Sequence, residues 1–239
     1  MNPLQSLACP NCGSPLPEGA VPGSLVRCPA CGSTFNLPVS LTPEPELGSL
    51  LLGADFNGPD IPGWHVYAWE TPATFENFER IPEWRVTLAP EPNHLTDFLL
   101  NTPGPLDDFD VCVSLRFLKG DEKDFFAGLD LRVSEDGYYS VVIDNTQHFR
   151  VAWFDKKVWG GYLVEWTVHP SLRAGMEQRN TLRVSLHNTQ MRIYLNGVLA
   201  TSLHDGRFSN GKIRLIAASY DQEMIVAASN LQVREVKPA

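Results

Sequence analysis

At 239 residues and 43% hydrophobic content, the chain has room for one large globular domain and a small one, and it carries a formal net charge of −9. Residues 1–37 hold one acid, Glu18, and one base, Arg27, so the acidity belongs to residues 38–239. A neutral segment ahead of an acidic bulk lacks the cationic footprint that tracks phosphates, which argues against nucleic acid as a partner, and no apolar run is long enough to span a membrane.

In chain order, the first stretch, MNPLQSLACP, has neither the charged n-region nor the apolar h-region of a signal peptide, so a soluble, cytoplasmic protein is the expectation. Cys9, Cys12, Cys28 and Cys31 then read C-x2-C-x15-C-x2-C, a spacing that brings two thiolate pairs round one soft cation. Some staple is needed here, because about 37 residues with few large apolar side chains cannot build a core. Disulfides are the competing staple. The doubled C-P-x-C-G favours metal, and four thiolates predict one structural Zn2+ with no open position for water. Leu25, Val26, Thr34 and Phe35 are expected as short strands beside the second knuckle. Residues 9–35 resemble the zinc ribbons at the N-termini of many bacterial and archaeal proteins, a likeness specific for zinc and not for function.

Residues 38–48, PVSLTPEPELG, have the composition of a semi-extended linker, so the expected division is a ribbon at 1–37 and a second domain at 49–239. Beyond the linker the apolar pattern has period two. FDVCVSLRF (109–117) alternates Phe109, Val111, Val113, Leu115 and Phe117 against polar residues, and 181–187, 190–196 and 231–236 repeat the rhythm. Asn196-Gly197 is a type I′ hairpin signal, with Asp136-Gly137 and Asn210-Gly211 as two further turns. No segment carries a capped helical stripe, and 170–180 reads as a crossing loop. The fold class expected is all-β, a two-sheet antiparallel jelly-roll sandwich of about a dozen strands.

The phrases ADFNGPDIPGWHVY (54–67), GYYSVVIDNTQHFRVAWF (137–154), the run 164–200 with its N-x-L-R-V and I-Y-L-N-G hairpin, and GKIRLIAAS (211–219) resemble the concanavalin A-like, laminin-G-like sandwiches of bacteria. That group includes domains of the 3-keto-disaccharide hydrolase-like kind. The resemblance covers roughly residues 50–236 and implies the fold, while the architecture hosts lectins, glycosidases and inert modules alike.

Candidate sites are few. No E-x-D-x-x-E run appears; Asp121, Glu122 and Asp124 sit in a loop-like KGDEKDF, and Asp130 and Asp144 lie apart in the sequence. Asp136, Asp205 and Asp221 fit turn chemistry, with no calcium expected. The six histidines are scattered singly, and Cys112 sits mid-strand as a packing residue. The aromatic cluster in WFDKKVWGGYLVEW supplies the candidate ligand residues Trp153, Trp159, Tyr162 and Trp166, because exposed rings stack on sugar faces. The expected function is a non-enzymatic binding or adaptor protein whose sandwich takes a protein or glycan; a glycoside-acting hydrolase and a structural subunit of a larger assembly are the alternatives. Oligomeric state has no signal in the sequence.

Overall fold

The structure is a computed structural model, and it describes residues 12, 14–15, 25–36, 46–54, 56, 65–67, 73–78, 81–88, 95–102, 104–120, 125–156, 160–220 and 222–237. Cys9, most of the expected linker, Asp121, Glu122, Asp124, Trp159 and Asp221 lie outside the described residues. The N-terminal hairpin is β1 (Leu25–Arg27) against β2 (Thr34–Asn36), next to the second cysteine knuckle.

Among the described residues, fifteen further strands succeed this hairpin. They are β3 (Leu47–Ala54), β4 (His65–Tyr67), β5 (Ala73–Phe78), β6 (Ile81–Leu88), β7 (Leu95–Asn101), β8 (Phe109–Lys119), β9 (Phe125–Val133) and β10 (Gly137–Ile143). The series continues with β11 (His148–Asp155), β12 (Gly161–Val168), β13 (Arg179–His187), β14 (Gln190–Leu195), β15 (Val198–His204), β16 (Lys212–Tyr220) and β17 (Met224–Val236). Their pairings are antiparallel and build two sheets. One is seven-stranded in the order β12-β11-β10-β9-β16-β7-β4; the other is eight-stranded, β15-β14-β13-β8-β17-β6-β5, with β3 also on β17. The protein is thus all-β, with two antiparallel sheets and, among the described residues, no helix, hence none long and apolar enough to cross a membrane.

Strand alternation explains the layering. The apolar set of β8, from Phe109 to Phe117, faces Phe125, Ala127, Leu129 and Leu131 of β9 and Tyr139, Val141 and Ile143 of β10 in one contiguous core. Phe117 and Phe125 meet across the sheets with ring centroids 5.2 Å apart. The Asn196-Gly197 hairpin forms as expected, with φ of 50° and 81° joining β14 to β15. From 170 to 178 the chain turns between β12 and β13, while Arg179 and Asn180, expected in the crossing loop, begin β13; the Asn180 amide ties Arg173 and Asn196 together.

The alternate face of the eight-stranded sheet carries a charge arrangement that alternation alone does not suggest. Arg179 and Arg116 stand opposite each other in register on β13 and β8, a like-charge pair that is unfavourable by itself. Glu83 of β6, 1% exposed, resolves it by giving one carboxylate oxygen to Arg116 at 2.5 Å and the other to Arg179 at 2.6 Å. The reach from β8 to β6 passes over β17 at Ala227, which is in register with Arg116 and small enough to let the guanidinium through. Glu83→Ala removes the carboxylate that the two facing arginines share, so it is expected to lower unfolding stability by about 3–5 kcal/mol. Urea denaturation followed by tryptophan fluorescence measures this, and an unchanged midpoint would show that the triad is not stabilising.

Candidate functional site

On the outer face of the seven-stranded sheet, the even-numbered residues of β9, β10 and β11 assemble in ladder rows. One row runs Arg214, Asp130, Ser140, Ala152, Tyr162; the next runs Ile216, Gly128, Val142, Arg150. Ser140, Val142, Ala152 and Ala218 belong to this outer face and not to the core cluster, yet none is more than 3% exposed. Small residues therefore floor the face, and larger ones rise around them. Phe126, Arg150, Ala152, Phe154, Gly160, Gly161 and Tyr162 line a cleft of about 220 Å³ that is open to solvent.

Its rim is aromatic. Tyr162 is 49% exposed and Trp166 is 40% exposed, both on the edge strand β12. Gly160 opens the mouth, since a Cβ there would run into the Trp153 carbonyl where the chain enters β12. At the centre sits the Arg150 guanidinium, 4.8 Å from the Trp166 ring centroid, 5.1 Å from Phe126 and 5.7 Å from Tyr162. Burial holds its pKa below the usual arginine value, against the opposing pull of the Tyr162 hydroxyl. Arg150 Nε is buried with no hydrogen-bond partner among the described residues, a state that costs about 1–3 kcal/mol. Arg214, by contrast, lies 4.5 Å from the Tyr138 ring and is ion-paired to the fully buried Asp130 at 2.9 Å.

The structure separates the four aromatic residues named from sequence. Tyr162 and Trp166 come together at the cleft, whereas Trp153 points to the opposite side of its sheet, packs against the core and carries Arg207 at 4.5 Å on its ring. Trp159 lies outside the described residues. Phe126, Phe154 and Arg150 are cleft residues that sequence reasoning misses. Arg150 stands between Phe149 and Val151, and a charge in that setting on a period-two strand is the signal for an outward-facing group.

The remaining acidic candidates are engaged locally. Asp144 accepts from the Thr146 and His148 amides at 2.8 and 2.9 Å, as in an Asx turn. Asp205 accepts from Tyr139 at 2.7 Å, and Asp136 gives its carbonyl to the Lys156 amide at 3.1 Å. Burial and the Asp205 bond together push the Tyr139 phenol up to about 12.

In the N-terminal segment, Cys12, Cys28 and Cys31 bring their sulfurs within 4.8 Å of one another. Cys28 and Cys12 are 3.7 Å apart, thiols and not a disulfide. A tetrahedron of thiolates about 2.3 Å from zinc has edges of about 3.8 Å, so this donor set and spacing fit the ion. The knuckle is held by the Gly32 amide on the Cys28 carbonyl at 2.9 Å and the Cys28 amide on the Ser33 carbonyl at 2.8 Å. Hydrogen bonding with Ser33 draws the Cys31 thiol down to about 6, and Ser14 lowers Cys12, both favouring the ligating form.

The fold these elements define is a two-sheet antiparallel sandwich of the galectin-like and concanavalin A-like kind. No protein-family model matches the chain, and no curated protein matches it by sequence. Among solved structures, carbohydrate binding module CBM66 from Bacillus subtilis is 16% identical, with 72% of this chain and 96% of that one covered at a TM-score of 0.53. A Bacillus subtilis protein of unknown function with a galectin-like fold is 10% identical, covering 81% of this chain and 100% of that one at 0.59. A GlcNAcα1-4Gal-releasing endo-β-galactosidase from Clostridium perfringens is 9% identical, covering 80% of this chain and 62% of its own at 0.60. At these identities the likeness establishes the fold.

Cys112 behaves differently from Cys12 and Cys31. Burial and the neighbouring Asp110 raise its pKa from 9.0 to about 11, so it stays neutral until the pH nears that value. In native protein at pH 8 it is expected to react with iodoacetamide about 100-fold more slowly than an unperturbed thiol, the ratio of thiolate fractions. Urea should abolish the protection. Peptide mass mapping checks this, and rapid native labelling of Cys112 would contradict it.

Proposed function

We propose that the chain is a glycan-binding protein in which the outer face of the seven-stranded sheet receives a sugar and the N-terminal cysteines hold one structural Zn2+. The observation that carries the reading is the cleft itself: two exposed rings, Tyr162 and Trp166, stand over a floor of small residues with a guanidinium at its centre. Exposed rings offer stacking surfaces and a few polar groups fix orientation, which is what sugar binding requires. Two of the structural neighbours support the same direction by their names, a carbohydrate binding module and a glycan-cleaving galactosidase. Binding without turnover is favoured by the state of Asp130, whose carboxylate is fully buried on this face with Oδ2 ion-paired to Arg214. Two-carboxylate glycosidase chemistry needs its acid and its partner free to meet the glycosidic bond.

Division into a ribbon at 1–37, a linker at 38–48 and a sandwich at 49–239 accompanies this reading, as does residence in a reducing compartment, where the thiols stay available to metal. Zinc would be held by Cys12, Cys28 and Cys31 with Cys9 as the fourth donor, and its role is to fasten a segment too small to fold on a core.

Screening the full chain on a glycan array is the primary test, with affinities for hits measured by calorimetry. Trp166→Ala and Tyr162→Ala are each expected to cost about 1–2 kcal/mol, roughly 5- to 30-fold in Kd. Retention of full affinity in the double variant would place the glycan elsewhere. Native mass spectrometry is expected to show one zinc per chain, lost in Cys28→Ser/Cys31→Ser, with the sandwich's unfolding transition preserved; a zinc-free wild type would refute the metal assignment.

A further inference from the structure

Resting on the glycan reading of the cleft, Arg150 goes further and sets the chemical class of the sugar. Among the described residues Arg116, Arg132, Arg179, Arg183, Arg207 and Arg214 each meet a carboxylate. Arg150 meets aromatic side chains instead: the rings of Trp166, Phe126 and Tyr162 all lie within 6 Å of its guanidinium carbon. Rings hold a guanidinium by its face; the Tyr162 hydroxyl also hydrogen-bonds part of the Arg150 N–H edge, and Nε is left without a partner among the described residues. The buried Nε belongs to that edge. Asp130, the fully buried carboxylate on the same face, is taken by Arg214.

We infer that the cleft selects an anionic sugar, whose carboxylate or sulfate oxygens take the N–H groups of Arg150 that Tyr162 does not use, while the sugar ring lies against Tyr162 or Trp166. The match is one of geometry as well as charge, because a planar guanidinium fork pairs two oxygens of one anionic group with two parallel hydrogen bonds. The aromatic rim removes water from around the pair and strengthens it. Charge on the rest of the chain, −9 overall, works against unspecific attraction of polyanions, so discrimination has to come from this one local site.

Calorimetry on the full chain separates the sources: an oligogalacturonate supplies carboxylate, a sulfated galactan oligosaccharide supplies sulfate, and a neutral galactan oligosaccharide of equal length supplies neither. One of the acidic ligands is expected to bind at least tenfold more tightly than the neutral one, with an affinity that falls as salt rises. Arg150→Gln is expected to collapse the acidic-to-neutral ratio towards one, and Arg150→Lys, which keeps the charge but loses the fork, to reduce it several-fold. Circular dichroism checks that both variants fold, and the Lys variant decides if the Gln variant does not. Equal binding of acidic and neutral ligands, or an unchanged ratio in a folded Arg150 variant, overturns the inference and leaves the glycan reading standing. Absence of binding to every glycan on the array overturns both.

Discussion

The sandwich is closed at one end by Arg132, and much of its geometry depends on how that buried guanidinium is satisfied. All five N–H groups are used: Nε and one Nη on the Asp107 carbonyl at 3.2 and 2.9 Å, the same Nη on Asp108 at 3.3 Å, and the other Nη on the Asn188 and Phe208 carbonyls at 2.8 and 2.9 Å. A 1% exposed cation is tolerable only with such a set. Its partners come from the entry to β8, the β13–β14 turn and the β15–β16 connection, so one side chain of the seven-stranded sheet ties together three loops attached to the other. Asp108 also accepts from the Asn188 amide at 2.7 Å, and Tyr139 meets the Phe208 amide at 3.2 Å, which closes the network from both sides.

Arg132 reaches these loops because β9 is irregular there. Its φ is 53°, and β9 carries one more residue than β16 between the pairs Arg214↔Asp130 and Lys212↔Val133. This is a bulge, which bends a strand and re-aims a side chain. Beyond it β9 is regular, and from Asp130 towards Phe126 its even residues stay on the outer face. The bulge therefore separates two roles on one strand: a closing residue at one end and a cleft wall at the other. The placement of Arg150 beside Trp166 depends on a second irregularity, where β12 sets Glu165 and Trp166 against the single Arg150 of β11 between the pairs Phe149↔Thr167 and Val151↔Val164.

Much of the fold was legible because its signals are local. Period-two alternation in 109–117 is a property of nine consecutive residues, and Asn196-Gly197 specifies its turn by backbone preference alone. The cleft was only half legible. Tyr162 and Trp166 stand out by composition, but proximity in the chain also drew in Trp153, which its parity sends to the core beside Tyr139. Phe126 and Arg150 share the cleft only once β9, β10 and β11 are set in register, and no short stretch contains that register. The Glu83 triad is hidden for the same reason: its three members come from strands separated by 33 and 96 positions.

The two parts of the chain solve the stability problem by different means. In the sandwich, the core from Phe109 to Val233 is continuous, so burial of apolar surface suffices and charged groups are spared for the faces. Near the cysteines, Cys28 is buried, and the hairpin of β1 and β2 has three paired positions. Such a hairpin is marginal on its own. Hydrogen bonds with Ser33 and Ser14 lower the Cys31 and Cys12 thiols there, and in the proposed reading a cation joining them substitutes for a core. In the reading proposed above, the cysteine cluster and Arg150 share one feature: each takes a complementary ion or ionic group from outside the chain.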